Sequence, residues 1–275
     1  MNCICLTMPP LPRARPTQYA LPWCVPALYI CVSVSSHASL IHYLPLDGST
    51  PADVIGGATI TNFGAQPTTD RNGTEMSAYE FDGLDDYIHA DINVNADVMS
   101  DITWGAWIQS DIPHQTPTVR AIASQDNGDF DRQFGIDHRS GNGLSAFKGD
   151  GVLGSYPQIA FNWYFVATTY NDMTRQVKLY VAEQGNTAQT GFAVISDTLA
   201  DVDEGHDYIH IGSNPFTSVS EHWDGAIDNL FIDDEVLDLE ALSDIATNGI
   251  IIPEPTILGL FLLTLLWAAR RRPLY

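Results

Sequence analysis

The chain has 275 residues, with 34 acidic against 12 basic side chains and a formal net charge of −22. A surface this acidic repels nucleic acid and anionic membrane, which argues against both as partners, and it attracts divalent cations. All four cysteines (Cys3, Cys5, Cys24 and Cys31) fall in the first 31 residues, so the rest of the chain offers no disulfide framework, cysteine zinc cluster or thiol nucleophile.

In chain order, residues 1–38 come first and read as an export signal. Arg13 and Arg15 precede an apolar stretch from Tyr19 to Val34, and Ser36-His37-Ala38 supplies small-x-small cleavage chemistry after Ala38. The positions before Gln18 are long and proline-rich for an n-region, which also allows a start at Met8. Cys31 follows Leu28-Tyr29-Ile30, too bulky a run for lipoprotein processing. Export through the Sec machinery is the expectation.

Residues 39–249 read as one all-β domain. Strand-like runs occur at 40–46, 78–81, 87–90, 102–109, 119–124, 132–137, 143–148, 163–170, 176–183, 191–195, 208–211 and 226–232. They are short, rich in aromatic and β-branched residues, and bounded by Gly, Asn, Asp and Pro. Within 102–108, alternation places Ile102, Trp104, Ala106 and Ile108 on one face. One amphipathic helix is expected at 237–246. A dozen strands at this spacing predict a two-sheet antiparallel sandwich or jelly roll. This domain holds 7 basic and 33 acidic residues, a net of −26.

The ordered series Tyr79-Glu80-Phe81-Asp82-Gly83-Leu84-Asp85-Asp86-Tyr87-Ile88, then Ile102 to Ile108, Asn162 to Tyr170, Val177 to Val181, Ile209 to Ser213 and Gly225 to Ile232 resembles the laminin-G-like jelly roll of the concanavalin A-like lectin/glucanase superfamily. That resemblance implies a binding domain, and a calcium ion held by loop carboxylates and backbone carbonyls. Calcium takes six to eight oxygens, so clustered Asp side chains are what it requires. On that basis Asp228, in the last strand, and Asp47 and Asp53, in the first loop, are the expected calcium ligands. The Asp82-Gly83-Leu84-Asp85-Asp86 turn reads as a hairpin, with Gly83 supplying positive φ. Residues 126–137 lack the glycine an EF-hand loop needs at its sixth position.

Glucanases of the superfamily deliver paired carboxyls from a Glu-x-Asp-x-Glu strand, and that pattern is absent, as are zincin, nucleophile-elbow and phosphate-loop motifs. The expected function is therefore non-catalytic binding or adhesion, with exopolysaccharide or another glycan as partner. Trp223, Tyr156 and Phe216, in loop-like segments, are the expected ligand contacts. The alternatives are a structural matrix protein crosslinked through divalent cations, or a glycan-active enzyme.

Residues 250–275 close the chain with Pro253-Glu254-Pro255, fourteen uncharged residues from Thr256 to Ala269, and Arg270-Arg271-Arg272. As helix the apolar run reaches about 21 Å, short of the roughly 30 Å of a bilayer core. The three-part layout resembles the PEP-CTERM sorting signal of Gram-negative bacteria. It implies transient anchoring in the inner membrane, cleavage by exosortase near Pro253, Glu254 and Pro255, and delivery to the envelope or extracellular matrix.

Overall fold

The computed structural model describes residues 40–113, 116–200, 205–216, 221–250 and 252. The export signal with Ala38, and the sorting segment with Pro253, Glu254 and Pro255, lie outside the described residues. No helix among the described residues is long and apolar enough to cross a membrane.

Among the described residues, fifteen strands and one α-helix form an all-β, two-sheet antiparallel sandwich. The strands are β1 (Leu40–Leu44), β2 (Ile60–Phe63), β3 (Gln66–Thr68), β4 (Ala78–Asp82), β5 (Tyr87–Ala90), β6 (Asp101–Ser110), β7 (Val119–Ser124) and β8 (Gln133–Asp137). They continue as β9 (Gly143–Phe147), β10 (Val152–Tyr156), β11 (Trp163–Asn171), β12 (Gln176–Glu183), β13 (Ala193–Thr198), β14 (Ile209–Ile211) and β15 (Asp224–Asp233). Helix α1 spans Leu239–Asn248.

The first sheet runs β13-β12-β11-β6-β15-β4-β3, with β1 also on β15; the second runs β10-β9-β8-β7-β14-β5-β2. The alternation read in the sequence holds: Ile102, Trp104, Ala106 and Ile108 all enter the core between the sheets. There Trp104 meets Phe134 edge-on, ring centroids 5.2 Å apart. The opposite side chains of the first sheet, Trp107, Trp163, Phe165 and Phe231, build a second apolar layer with Leu242 and Ile245 of α1. Asp238 caps α1 by accepting from the Ala241 N–H at 2.9 Å. One outer face of the sandwich is thus occupied by its helix; on the outer face of the second sheet Ser124, Gln133 and Ser145 are buried, and the side chains over β2, β5 and β14 stay partly exposed.

Three strands were not expected from the sequence: β2, β3 and β10. Each is an outermost strand of its sheet. Pro67 sits in β3, a residue that edges tolerate and central strands do not, and Gly154 in β10 has φ +49°.

Strand β15 carries an irregularity that matters below. It pairs with β4 over residues 224–227 and with β1 over 230–233. At the changeover Asn229 adopts φ +55° and the register against β6 shifts between Asp228 and Phe231.

Candidate functional site

The changeover in β15 buries Asp228 completely. Its Oδ2 accepts from Arg71 Nη1 at 2.7 Å, while Oδ1 is buried without a hydrogen-bond partner. The Arg71 guanidinium lies 4.5 Å above the Trp107 ring, and Tyr43 donates its hydroxyl to Asn229 Oδ1 alongside. Burial pushes the Asp228 carboxyl up to about 7; Arg71 opposes this, and Asp70 and Asp47 add to it. Asp47 and Asp228 therefore share one neighbourhood.

Asp53 does not join them as a free ligand. Its Oδ1 accepts from the N–H groups of Tyr43, Ile55 and Gly56, and its Oδ2 from Ala58 N–H and His42 Nδ1. The carboxylate is spent on holding the first loop closed, a turn-capping role Asp adopts readily. Asp228 Oδ1 is the one oxygen of its carboxylate left for a further ligand, whereas both oxygens of Asp53 are taken by backbone N–H groups and His42. Among the described residues, the one set of three carboxylates converging within 4.8 Å is Asp82, Asp85 and Asp86 in the β4–β5 turn. Asp82 there accepts from the Leu84 and Asp85 N–H groups, and Gly83 has φ +74°, as a hairpin turn demands.

The expected ligand contacts fall elsewhere. Trp223 is 0 % exposed and belongs to the core between the sheets, so it cannot touch a ligand. Its sequence neighbours Glu221, His222 and Asp224 disguise a segment whose Trp223 N–H bonds to the Gly212 carbonyl at 2.7 Å. Tyr156 lies on a strand, β10, with its ring against Tyr164 at the core margin. Phe216 is half-buried and lies over Gly128.

What sequence reasoning missed is a ribbon of rings across the outer face of the second sheet. In β5, Ile88 and Ala90 point inward, so Tyr87 and His89 point out; in β14, Ile209 and Ile211 point inward, so His210 points out. Phe63 of β2 stacks on Tyr87 at 4.6 Å, and Tyr87 stacks on His210 at 4.4 Å. His89 and Tyr208 follow at 4.7 Å, and Tyr208 stacks on His206 at 4.8 Å. The signal was present as Tyr87-x-His89 and Tyr208-x-His210, an aromatic alternation opposite the apolar one. Burial, reinforced by His89 and His206, pulls His210 down to about 4, so its ring is neutral at pH 7.

Cross-strand register carries the ribbon onward. Thr61, His89, His210, Ser124 and Gln133 stand directly opposite one another in turn across β2, β5, β14, β7 and β8. Beyond Gln133 lies a polar cluster. Asn214 Nδ2 donates to Asp126 Oδ2 at 2.8 Å and to Glu221 Oε2 at 2.9 Å, and Gln133 Nε2 reaches Glu221 Oε2 at 3.4 Å. Arg139 is committed to Asp137 through both Nε and Nη2. Burial raises the Glu221 carboxyl against the two amides that hold it down. Gln133 Oε1 is buried with no partner. The face therefore pairs a row of mutually stacked, partly exposed rings with a buried polar cluster whose carboxylates are engaged by amides and arginine.

The family profile described as concanavalin A-like lectin/glucanases superfamily matches residues 82–243. No curated protein matches this sequence. Solved structures share the fold at low identity. The botulinum neurotoxin serotype D binding domain is 17% identical with a TM-score of 0.54, over 76% of this chain and 52% of that one. The receptor binding domain of a botulinum neurotoxin mosaic serotype C/D gives 17% and 0.54, over 76% and 51%. This chain thus spans about half the length of those toxin chains. Domain 4 of AbnA, a GH43 extracellular arabinanase from Geobacillus stearothermophilus solved with arabinotriose, gives 15% and 0.54, over 76% of this chain and 98% of that one.

Proposed function

The chain belongs to the concanavalin A-like lectin/glucanases superfamily, and from that premise we propose that it is a non-catalytic glycan-binding module whose binding surface is the outer face of the second sheet. The observation that carries the reading is the partly exposed ribbon Phe63-Tyr87-His210-His89-Tyr208-His206, a run of rings in mutual contact on the outer side of the sheet. A pyranose or furanose chain would lay its C–H groups against the exposed side of these rings, Phe63 foremost. Domain 4 of the arabinanase, of the same fold, was solved with arabinotriose, which supports the class of ligand. The acidic surface disfavours uronic-acid polymers and leaves neutral or amino-bearing exopolysaccharide as partner.

The terminal segments complete the proposal: Sec export, exosortase processing at the Pro253-Glu254-Pro255 segment, and residence in the envelope or matrix of a Gram-negative bacterium. Mass spectrometry of the mature C-terminus tests it, and an intact Arg270–Arg272 end on the surface protein refutes it. Calcium enters the proposal through Asp228 Oδ1 and Asp47, where it would supply positive charge to order the first loop. A urea midpoint that falls with chelator in the wild type and not in Asp228→Asn supports that role; equal midpoints remove it.

A glycan array probed with wild type and Tyr87→Ala tests the binding surface. Losing one stacked ring removes about 1 kcal/mol, a five- to tenfold drop in affinity. Binding unchanged by Tyr87→Ala excludes the ribbon. No glycan binding at all, with cation-dependent self-association, favours a ligand-free matrix protein.

A further inference from the structure

The first sheet carries a second site of a different construction. Where β11 begins and β12 ends, a cleft of about 260 Å³ opens between Phe161, Asn162, Trp163, Glu183 and Gln184. It lies just under the usual range for small-molecule sites, which suits one sugar ring. Phe161 stands at its mouth, 65 % exposed, with φ +65°. Left-handed backbone is unfavourable for a bulky side chain, and an exposed phenyl ring gains nothing from burial to offset it. The surroundings nonetheless force this geometry. Phe161 N–H donates to the Ser110 carbonyl at 2.8 Å, and its own carbonyl accepts from Gln109 Nε2 at 2.9 Å. Both bonds come from the end of β6, so the strain is built into the sheet.

The polar lining is set with equal care. Asn162 Nδ2 donates to Glu183 Oε1 at 2.7 Å, and Gln184 Nε2 donates to the Arg71 carbonyl at 2.6 Å. Strained residues cluster at functional positions, and of the seven non-glycine residues with positive φ among the described residues Phe161 is the most exposed. Here it presents a ring beside a carboxylate and two amides, which is the chemistry of a polyhydroxylated ligand. We infer that the Phe161 cleft is a second glycan-binding site, and that one molecule therefore bridges two glycan strands from its two sheets. The ligand class rests on the reading of the ribbon, whereas the existence of the site rests on the cleft itself.

The test is calorimetric titration with three neutral trisaccharides, arabinotriose, cellotriose and mannotriose, against wild type, Phe161→Gly and Tyr87→Ala, with thermal melts of each. Phe161→Gly is expected to weaken its site at least tenfold while leaving Tm unchanged or higher by about 2 °C, because glycine relieves the backbone. A two-site isotherm in which each variant removes one site supports the inference. Binding lost in Phe161→Gly and kept in Tyr87→Ala also supports it, and instead overturns the ribbon. Binding that Phe161→Gly leaves intact overturns the second site and spares the ribbon. A lowered Tm in Phe161→Gly assigns the residue to packing and overturns the inference, and no binding to any of the three overturns both sites.

Discussion

Replacing Asp228 by Asn should remove most of one component of the protein's pH-dependent stability. The carboxylate is fully buried, its Oδ1 lacks a partner, and burial lifts it from 3.8 to about 7 despite the Arg71 guanidinium 2.7 Å away. A carboxyl raised in the folded state favours folding when protonated. That stability is complete below the unfolded value of 3.8 and is lost as pH climbs through about 7. Between pH 5 and pH 8 this one group should cost about 2–3 kcal/mol. Asn keeps the shape and an acceptor for Arg71 without the charge. Urea unfolding of wild type and Asp228→Asn at both pH values measures the difference. The variant is expected to match wild type near pH 5 and to exceed it near pH 8. Arg71→Met should do the reverse, losing about 3–5 kcal/mol at pH 8 by stranding a buried charge, and less at pH 5. If Asp228→Asn loses stability with pH as steeply as wild type, the carboxyl titrates near its ordinary value and the reasoning fails.

Glu80 is raised to about 7 by burial and by Asp111 and Asp224, so Glu80→Gln should gain stability over wild type above pH 7 and match it near pH 4; a variant less stable than wild type at pH 8 refutes this. Arg132 is fully buried and donates to the carbonyls of Val94 and Ser100 at 2.6 and 3.4 Å. Arg132→Leu should leave both unsatisfied, lowering stability by about 2–3 kcal/mol, and hydrogen exchange should quicken first across residues 91–100. A Cβ on Gly135 would sit 2.0 Å from the Arg120 carbonyl oxygen, so Gly135→Ala should lower stability by about 3 kcal/mol through a backbone clash; a urea midpoint within error of wild type would show that β7 yields.

Central strands were legible because two buried faces or one strict alternation leave a strong pattern. Residues 102–109 of β6 and 163–170 of β11 announce themselves. The edges did not, because Ile60–Phe63 is largely exposed and Gln66–Thr68 holds a proline. A strand with one neighbour needs little of the apolar periodicity by which strands are recognised. Asp228 came to notice only through the family resemblance, and the capping role of Asp53, equally acidic, stayed hidden because backbone N–H donors leave no trace in a sequence. Trp223 was misread for a related reason: charged neighbours mark a local segment as loop, but burial is decided by Gly212 and the core beneath. Four of the ribbon's six rings, Tyr87, His89, Tyr208 and His210, lay within recognised strands, yet only the assignment of inward and outward faces reveals which aromatics escape the core.

The placement of the helix has one more consequence. Both described ends of the chain belong to the first sheet: Leu40 opens β1 against β15, and α1 lies over that sheet's outer side and ends at Asn248. Under the proposed anchoring of the C-terminal end, the helix-bearing side would face the anchor and the ring-bearing sheet would face away from it.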